Sequence, residues 1–96
     1  MFAVLVDFTI KVGFEAQFRA AIMEQARNSL QKETGCHYFD VCVHPEKVTE
    51  FFLYELYDDK SAFDTHLASD HFLSFDAQVS PWVATKSVRI LSGLAK

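Results

Sequence analysis

The run Phe51 to Tyr57, FFLYELY, limits the possible fold more than any other stretch of the chain. Both of its alternating faces are apolar or aromatic apart from Glu55, as in a strand covered on both sides, and such a strand sits mid-sheet. The run stops at Asp58, Asp59 and Lys60, after which Ala62, Phe63, His66 and Leu67 recur at helical spacing. A strand therefore hands over to a short helix with His66 on its apolar stripe. Secondary structure alone brings an ionisable ring, a carboxylate and two tyrosines together in otherwise apolar surroundings. This is the chain's best candidate for chemistry.

Upstream, Phe2 to Lys11 alternate, with Phe2, Val4, Val6, Phe8 and Ile10 forming a wholly apolar face that must meet the core. Gly13 breaks this strand, and Phe14, Phe18, Ile22, Ala26 and Leu30 then follow at steps of four, the mark of an amphipathic helix. Thr34 and Gly35 close it, with Gly35 at a position that favours a left-handed stop. Cys36 to His44 predict a second strand with a more polar face, suited to a sheet edge. The short link Glu46 to Thr49 is hairpin-sized, so this strand and the Phe51 strand are antiparallel neighbours. After the His66 helix, Ser69-Asp70-His71 restarts a helical piece that runs to Pro81 with a kink between the two pieces. The last strand spans about Ala84 to Leu91.

The order strand, helix, strand, strand, helix, strand predicts one α+β domain over residues 1–96. Its sheet is ferredoxin-like (βαββαβ), four-stranded and antiparallel, with the helices on one face and strands one and three central. The opposite face keeps Leu5 and aromatic residues of the third strand, too much apolar area to leave wet, so a second copy packed through the sheet faces is the expected cover.

Ten phenylalanines and 15% aromatic residues in 96 positions call for burial within the core or against that second copy. A net charge of −4 with scattered Lys and Arg lacks the footprint of a phosphate-backbone binder, so nucleic acid is not an expected partner. The apolar N-terminal segment is interrupted by Asp7 and falls short of the roughly 20 residues that span a bilayer, so neither a signal nor a membrane anchor is expected. Cys36 and Cys42 lie in one predicted strand roughly 20 Å apart, beyond the reach of about 7 Å that a disulfide allows. Free thiols without an export signal point to the cytoplasm. His37, His44, His66 and His71 lie on three elements without a Cys-x-x-Cys, and only three glycines are present, so neither a metal nor a nucleotide cofactor is expected.

The segments ETGC, YFDV, FFLYELYDD and AFDTHLASDHF, in this order, resemble the antibiotic biosynthesis monooxygenase family of dimeric α+β barrel proteins. The pattern falls on Glu33 and Gly35, Tyr38 to Val41, Tyr54 to Tyr57, Ala62 and His66, and His71 and Phe72. The resemblance implies a homodimer and a cofactor-free oxygenase of the quinol monooxygenase kind. It also leaves open the isomerase of a phosphorylated dione found in the same family. Haem-degrading members carry an Asn on the first strand and a Trp where this chain has His66, so haem is set aside.

His66 and Glu55 are the candidate catalytic residues, with Tyr54, His71, Phe72, Phe75 and Trp82 as candidate substrate contacts. As a base, a neutral imidazole takes a phenolic or enolic proton; as a core residue, it is satisfied by backbone or by Glu55. Glu55 is either catalytic or paired across a dimer interface. Of the two strand tyrosines, Tyr54 is expected in the pocket because Phe52 and Leu56 flank it on the more uniformly apolar face. The leading reading is a cofactor-independent monooxygenase of a quinol or polyphenol. The alternatives are an isomerase of an α-dicarbonyl or enediol, and a non-catalytic dimeric binding module. A cavity beside His66 smaller than about 300 Å³ would favour the last of these.

Overall fold

In the computed structural model, which describes residues 1–93, the elements run β1 (Phe2–Ile10), α1 (Glu15–Lys32), β2 (Cys36–Val43), β3 (Glu50–Tyr57), α2 (Lys60–Ala68), α3 (Asp70–Val79) and β4 (Val83–Ser92), with a 3₁₀ turn at Ser80–Trp82 before β4. The sheet order is β2-β3-β1-β4 and every neighbouring pair is antiparallel. The ferredoxin-like arrangement read from the sequence is the one formed, with the two most apolar strands in the middle.

The even positions of β1 and the odd positions of β3 point under the helices. Val4, Val6, Phe8 and Ile10 thereby meet Phe51, Leu53 and Tyr57 in one buried cluster with Phe18 and Ile22 of α1 and Phe75 and Val79 of α3. On α1 the buried residues are Phe18, Ala21, Ile22, Gln25, Ala26 and Ser29, a 3.6-residue repeat. Steps of four drift by about 40° each on such a helix, so the two ends of the stripe read from the sequence leave the core, and Phe14 and Leu30 are exposed.

Gly13 has φ of 99°, which lets the chain turn out of β1 towards α1. Gly35 does not act as a left-handed stop. Glu33 already ends α1 in an extended conformation, and Gly13 is the one positive-φ residue among those described. The reason for glycine at position 35 is instead a close approach, since a Cβ there would lie 2.7 Å from the Ala62 Cβ at the start of α2. Gly35→Ala is expected to force α2 off the sheet at a cost of about 1–3 kcal/mol. Thermal unfolding would show a fall in Tm of roughly 5–20 °C, partly recovered by adding Ala62→Gly.

No helix among the described residues is long and apolar enough to cross a membrane. Cys36 is buried, Cys42 is exposed, and both are free.

Candidate active site

Between the helices and the sheet lies a cavity walled by Val4, Val6 and Phe8 of β1, Leu53 and Glu55 of β3, His66 of α2, Phe72 and Phe75 of α3, and Lys86 and Val88 of β4. The strand hand-over at Asp58–Lys60 sets His66 in place. The Asp59 carboxylate accepts a hydrogen bond from the Ala62 N–H (2.9 Å) and caps α2, whose one buried residue is His66. The imidazole is 3% exposed and is boxed by the rings of Phe72 (5.0 Å between centroids), Tyr57 (5.3 Å) and Phe63 (6.0 Å).

His66 Nδ1 lies 2.9 Å from Glu33 Oε2. With Nδ1 donating to that oxygen, the lone pair is on Nε2, which no hydrogen bond among the described residues engages. Burial, followed by the Lys86 charge, pushes the His66 pKa down to about 4, so the ring is neutral at pH 7. Burial likewise raises the Glu33 pKa above the ordinary carboxylate value, against the opposing pull of His71.

Glu55 lies on the cavity wall at 3% exposure, and its Oε1 accepts a hydrogen bond from the Tyr57 hydroxyl at 2.6 Å. Burial raises its pKa to about 7, against the lowering effects of Tyr57 and Lys86. Near neutral pH the cavity thus presents a neutral imidazole and a carboxyl poised between its two forms. Such a pair can take one proton and give back another. Lys86 completes the polar set, with its ammonium 5.5 Å from the Phe8 ring centre and 5.9 Å from that of Phe72.

The two pKa shifts act on stability in opposite senses. The folded state holds the Glu55 proton more tightly than the unfolded chain does, so this residue's contribution is complete below pH 4.5 and is lost as pH rises through about 7. His66 does the reverse, losing its contribution as pH falls from 6.5 towards about 4. Glu55→Gln is therefore expected to remove an alkaline-side loss on the order of 3 kcal/mol. Denaturant titrations of both proteins between pH 4.5 and 8 should show the variant gaining on the parent as pH rises.

The cavity receives His66, Glu55, Phe72 and Phe75, but three other candidates lie elsewhere. Tyr54 is on the sheet's opposite face, 36% exposed, with its ring edge-on to Tyr38 at 5.6 Å. Both faces of β3 are apolar, so the uniformity of one did not identify the face beneath the helices; Tyr57 is the tyrosine beside His66. Trp82 is carried by the 3₁₀ turn to the start of α1, where it stacks on Phe14 at 6.2 Å. His71 lies behind His66, its Nε2 2.7 Å from Glu33 Oε2 and its Nδ1 3.3 Å from Gln25 Oε1. The cause is Ser69, whose extended backbone breaks the helix. Its hydroxyl donates to the His66 carbonyl (2.7 Å), ending α2, and accepts from the Phe72 N–H (3.2 Å), starting α3.

Sequence reasoning did not find Gln25 and Ser29 as site residues. Both are buried on α1, and Glu33, the half-buried cap that ends the helix, continues their four-residue spacing; the detectable signal is polar residues set among Ala21, Ile22 and Ala26. The enclosed volume of the cavity is about 60 Å³, room for a few waters, and reaches about 440 Å³ with the open space at its mouth. Its exposed lining residues, Leu67, Lys86 and Val88, mark that mouth.

A sequence model of the family described as "Antibiotic biosynthesis monooxygenase" matches residues 1–78. Comparison with curated proteins returns no match. Among solved structures, a Nitrosomonas europaea protein assigned provisionally as an antibiotic biosynthesis monooxygenase superposes with a TM-score of 0.92 at 26% identity, over 98% of this chain and 99% of its own. The Mycobacterium tuberculosis protein Rv0793 gives 0.90 at 26% identity, over 99% and 96%. The Shewanella oneidensis protein SO0527 gives 0.86 at 24% identity, over 94% and 87%, a likeness of fold. With the family match spanning most of its length, the chain belongs to the antibiotic biosynthesis monooxygenase family.

Proposed function

We propose that the protein is a cofactor-independent monooxygenase of a small electron-rich aromatic, a quinol or polyphenol. The observation that carries this reading is a neutral imidazole with Nδ1 held by Glu33 and Nε2 unengaged, set in an aromatic wall. His66 takes the phenolic proton, and Lys86 holds the resulting oxyanion. The anion gives one electron to dioxygen, and the radical pair joins to form a C–O bond. The hydroperoxide then loses water, so one oxygen atom stays on the ring as a carbonyl and the other leaves as water. Glu55 gives its proton to the peroxide anion and then, as carboxylate, takes the ring C–H proton while the O–O bond breaks; the departing hydroxide takes one proton from solvent and leaves as water.

The test is oxygen uptake by the purified protein with a panel of quinols and naphthols. Uptake no greater than the uncatalysed background removes the proposal. Turnover of an enediol under anaerobic conditions would instead identify the isomerase. A different observation favours a second reading, a non-catalytic binding module. The enclosed volume of about 60 Å³ is well below the several hundred Å³ that small-molecule sites usually offer. Catalysis therefore requires the side chains at the mouth to part, and a probe such as a naphthol that never perturbs the His66 ring resonances would favour the module.

The same reading includes a homodimer through the helix-free sheet face, which carries Leu5, Tyr38, Phe52, Tyr54, Leu56 and Leu91. Sedimentation is expected to give twice the 11.0 kDa of the chain. Tyr54→Glu, which places a charge in that apolar face, should shift the protein to monomer.

A further inference from the structure

Three titratable side chains from three elements meet behind the cavity wall: Glu33 at the end of α1, His66 on α2 and His71 on α3. Both imidazoles converge on one oxygen, Glu33 Oε2, at 2.9 Å from His66 Nδ1 and 2.7 Å from His71 Nε2. The second approach lies off the line of an aligned hydrogen bond, so that His71 Nε2 and Glu33 Oε1 are both buried without a hydrogen-bond partner among the described residues. A carboxylate kept for structure alone would divide two donors between its two oxygens. Leaving one bare costs about 1–3 kcal/mol.

The two ends of this array differ. On one side is the apolar cavity, which His66 lines. On the other, Glu33 and His71 border an outer cleft of about 410 Å³ with Thr65 and Ser69, and His71 also borders a second cleft of about 210 Å³ with Gln25 and Asn28. A polar line thus runs from the pocket to the outer surface through the protein, without using the pocket mouth.

We propose that Glu33 and His71 form a proton exit for His66, carrying the substrate's proton to water in the clefts that His71 borders. The proposal rests on the reading of His66 as a base. One proton is shared at rest between Glu33 and His71, and His66 holds one on Nδ1. The substrate's proton arrives at His66 Nε2, the Nδ1 proton passes to Glu33 Oε2, and the shared proton passes through His71 Nε2 and leaves from His71 Nδ1 to cleft water. One proton enters and one departs, and His66 keeps a single proton, now on Nε2; turning the ring or reversing the chain resets it. The other ionisable groups within electrostatic reach are Cys36, Glu55 and Tyr57 at Glu33 and Lys86 at His66, where the Tyr57 ring also packs.

The test is made on the full chain with ¹⁵N-labelled histidine and does not need a substrate. Exchange of the His66 ring N–H with solvent is measured by NMR in the parent and in His71→Phe, which keeps an aromatic ring but has no nitrogen. Loss of one positioned proton-transfer group is expected to slow this exchange by at least about tenfold, with external imidazole restoring it through the open outer cleft. Should His71→Phe not fold, His71→Gln carries the same test, since an amide can bond to Glu33 but cannot pass a proton on. Unchanged exchange in a folded variant overturns the relay, because the proton then reaches His66 through the mouth. Slowed exchange in a protein that oxidises no quinol upholds the relay and removes the base reading alone.

Discussion

His66→Ala is expected to lower kcat/KM for an oxidisable quinol by about 10²–10⁴-fold, the range that a positioned acid–base group contributes. The loss should fall on kcat more than on KM, because the imidazole acts on a proton in flight while the aromatic wall of Phe72 and Phe75 holds the ring. His66→Gln separates chemistry from packing, since it fills more of the space and still cannot accept a proton. Steady-state oxygen uptake with both variants checks this; a variant that folds and turns over at the parental rate would sink the role given to His66.

The largest effect on stability is expected from Phe18→Ala. Phe18 has no solvent exposure, and its ring lies 4.9 Å from both Phe8 and Phe51 and 6.4 Å from Phe75. It therefore joins α1 to both central strands and to α3. Truncation removes its burial and leaves a void that four elements cannot close together, at about 3–5 kcal/mol. For a chain of this size that corresponds to a fall in Tm of roughly 15–30 °C, readable by circular dichroism. Because Phe75 also walls the cavity, the same change should weaken ligand binding below the melting range.

The strand order and the central place of β1 and β3 follow from alternation, because only those strands are apolar enough to be covered on both sides. Alternation gives two faces and does not say which one the helices cover when both are apolar, and so it placed Tyr54 on the helix side, where Tyr57 lies beside His66. The position of His71 escaped for another reason. Five residues separate it from His66, which on one continuous helix turns the rings about 140° apart; the extended backbone at Ser69 cancels that turn and brings the ring centroids to 6.0 Å. Glu33 was visible only as part of a family motif. Its partners come from 33 and 38 positions away, a distance over which local periodicity carries no information. Trp82 follows the same logic, since three residues of 3₁₀ turn redirect it to the far end of the core.

β4 is the outermost ribbon next to β1, with a row of amide and carbonyl groups that no strand among the described residues pairs. Such rims invite sideways stacking of identical molecules unless charge discourages it. Lys86 and Arg89 are the two cations on that ribbon, so the ammonium at the pocket mouth also acts as a guard against polymer growth. Replacing Lys86 with a neutral apolar residue to test oxyanion binding would strip away half of that guard, and light scattering would reveal growing particles before any kinetic assay could be interpreted.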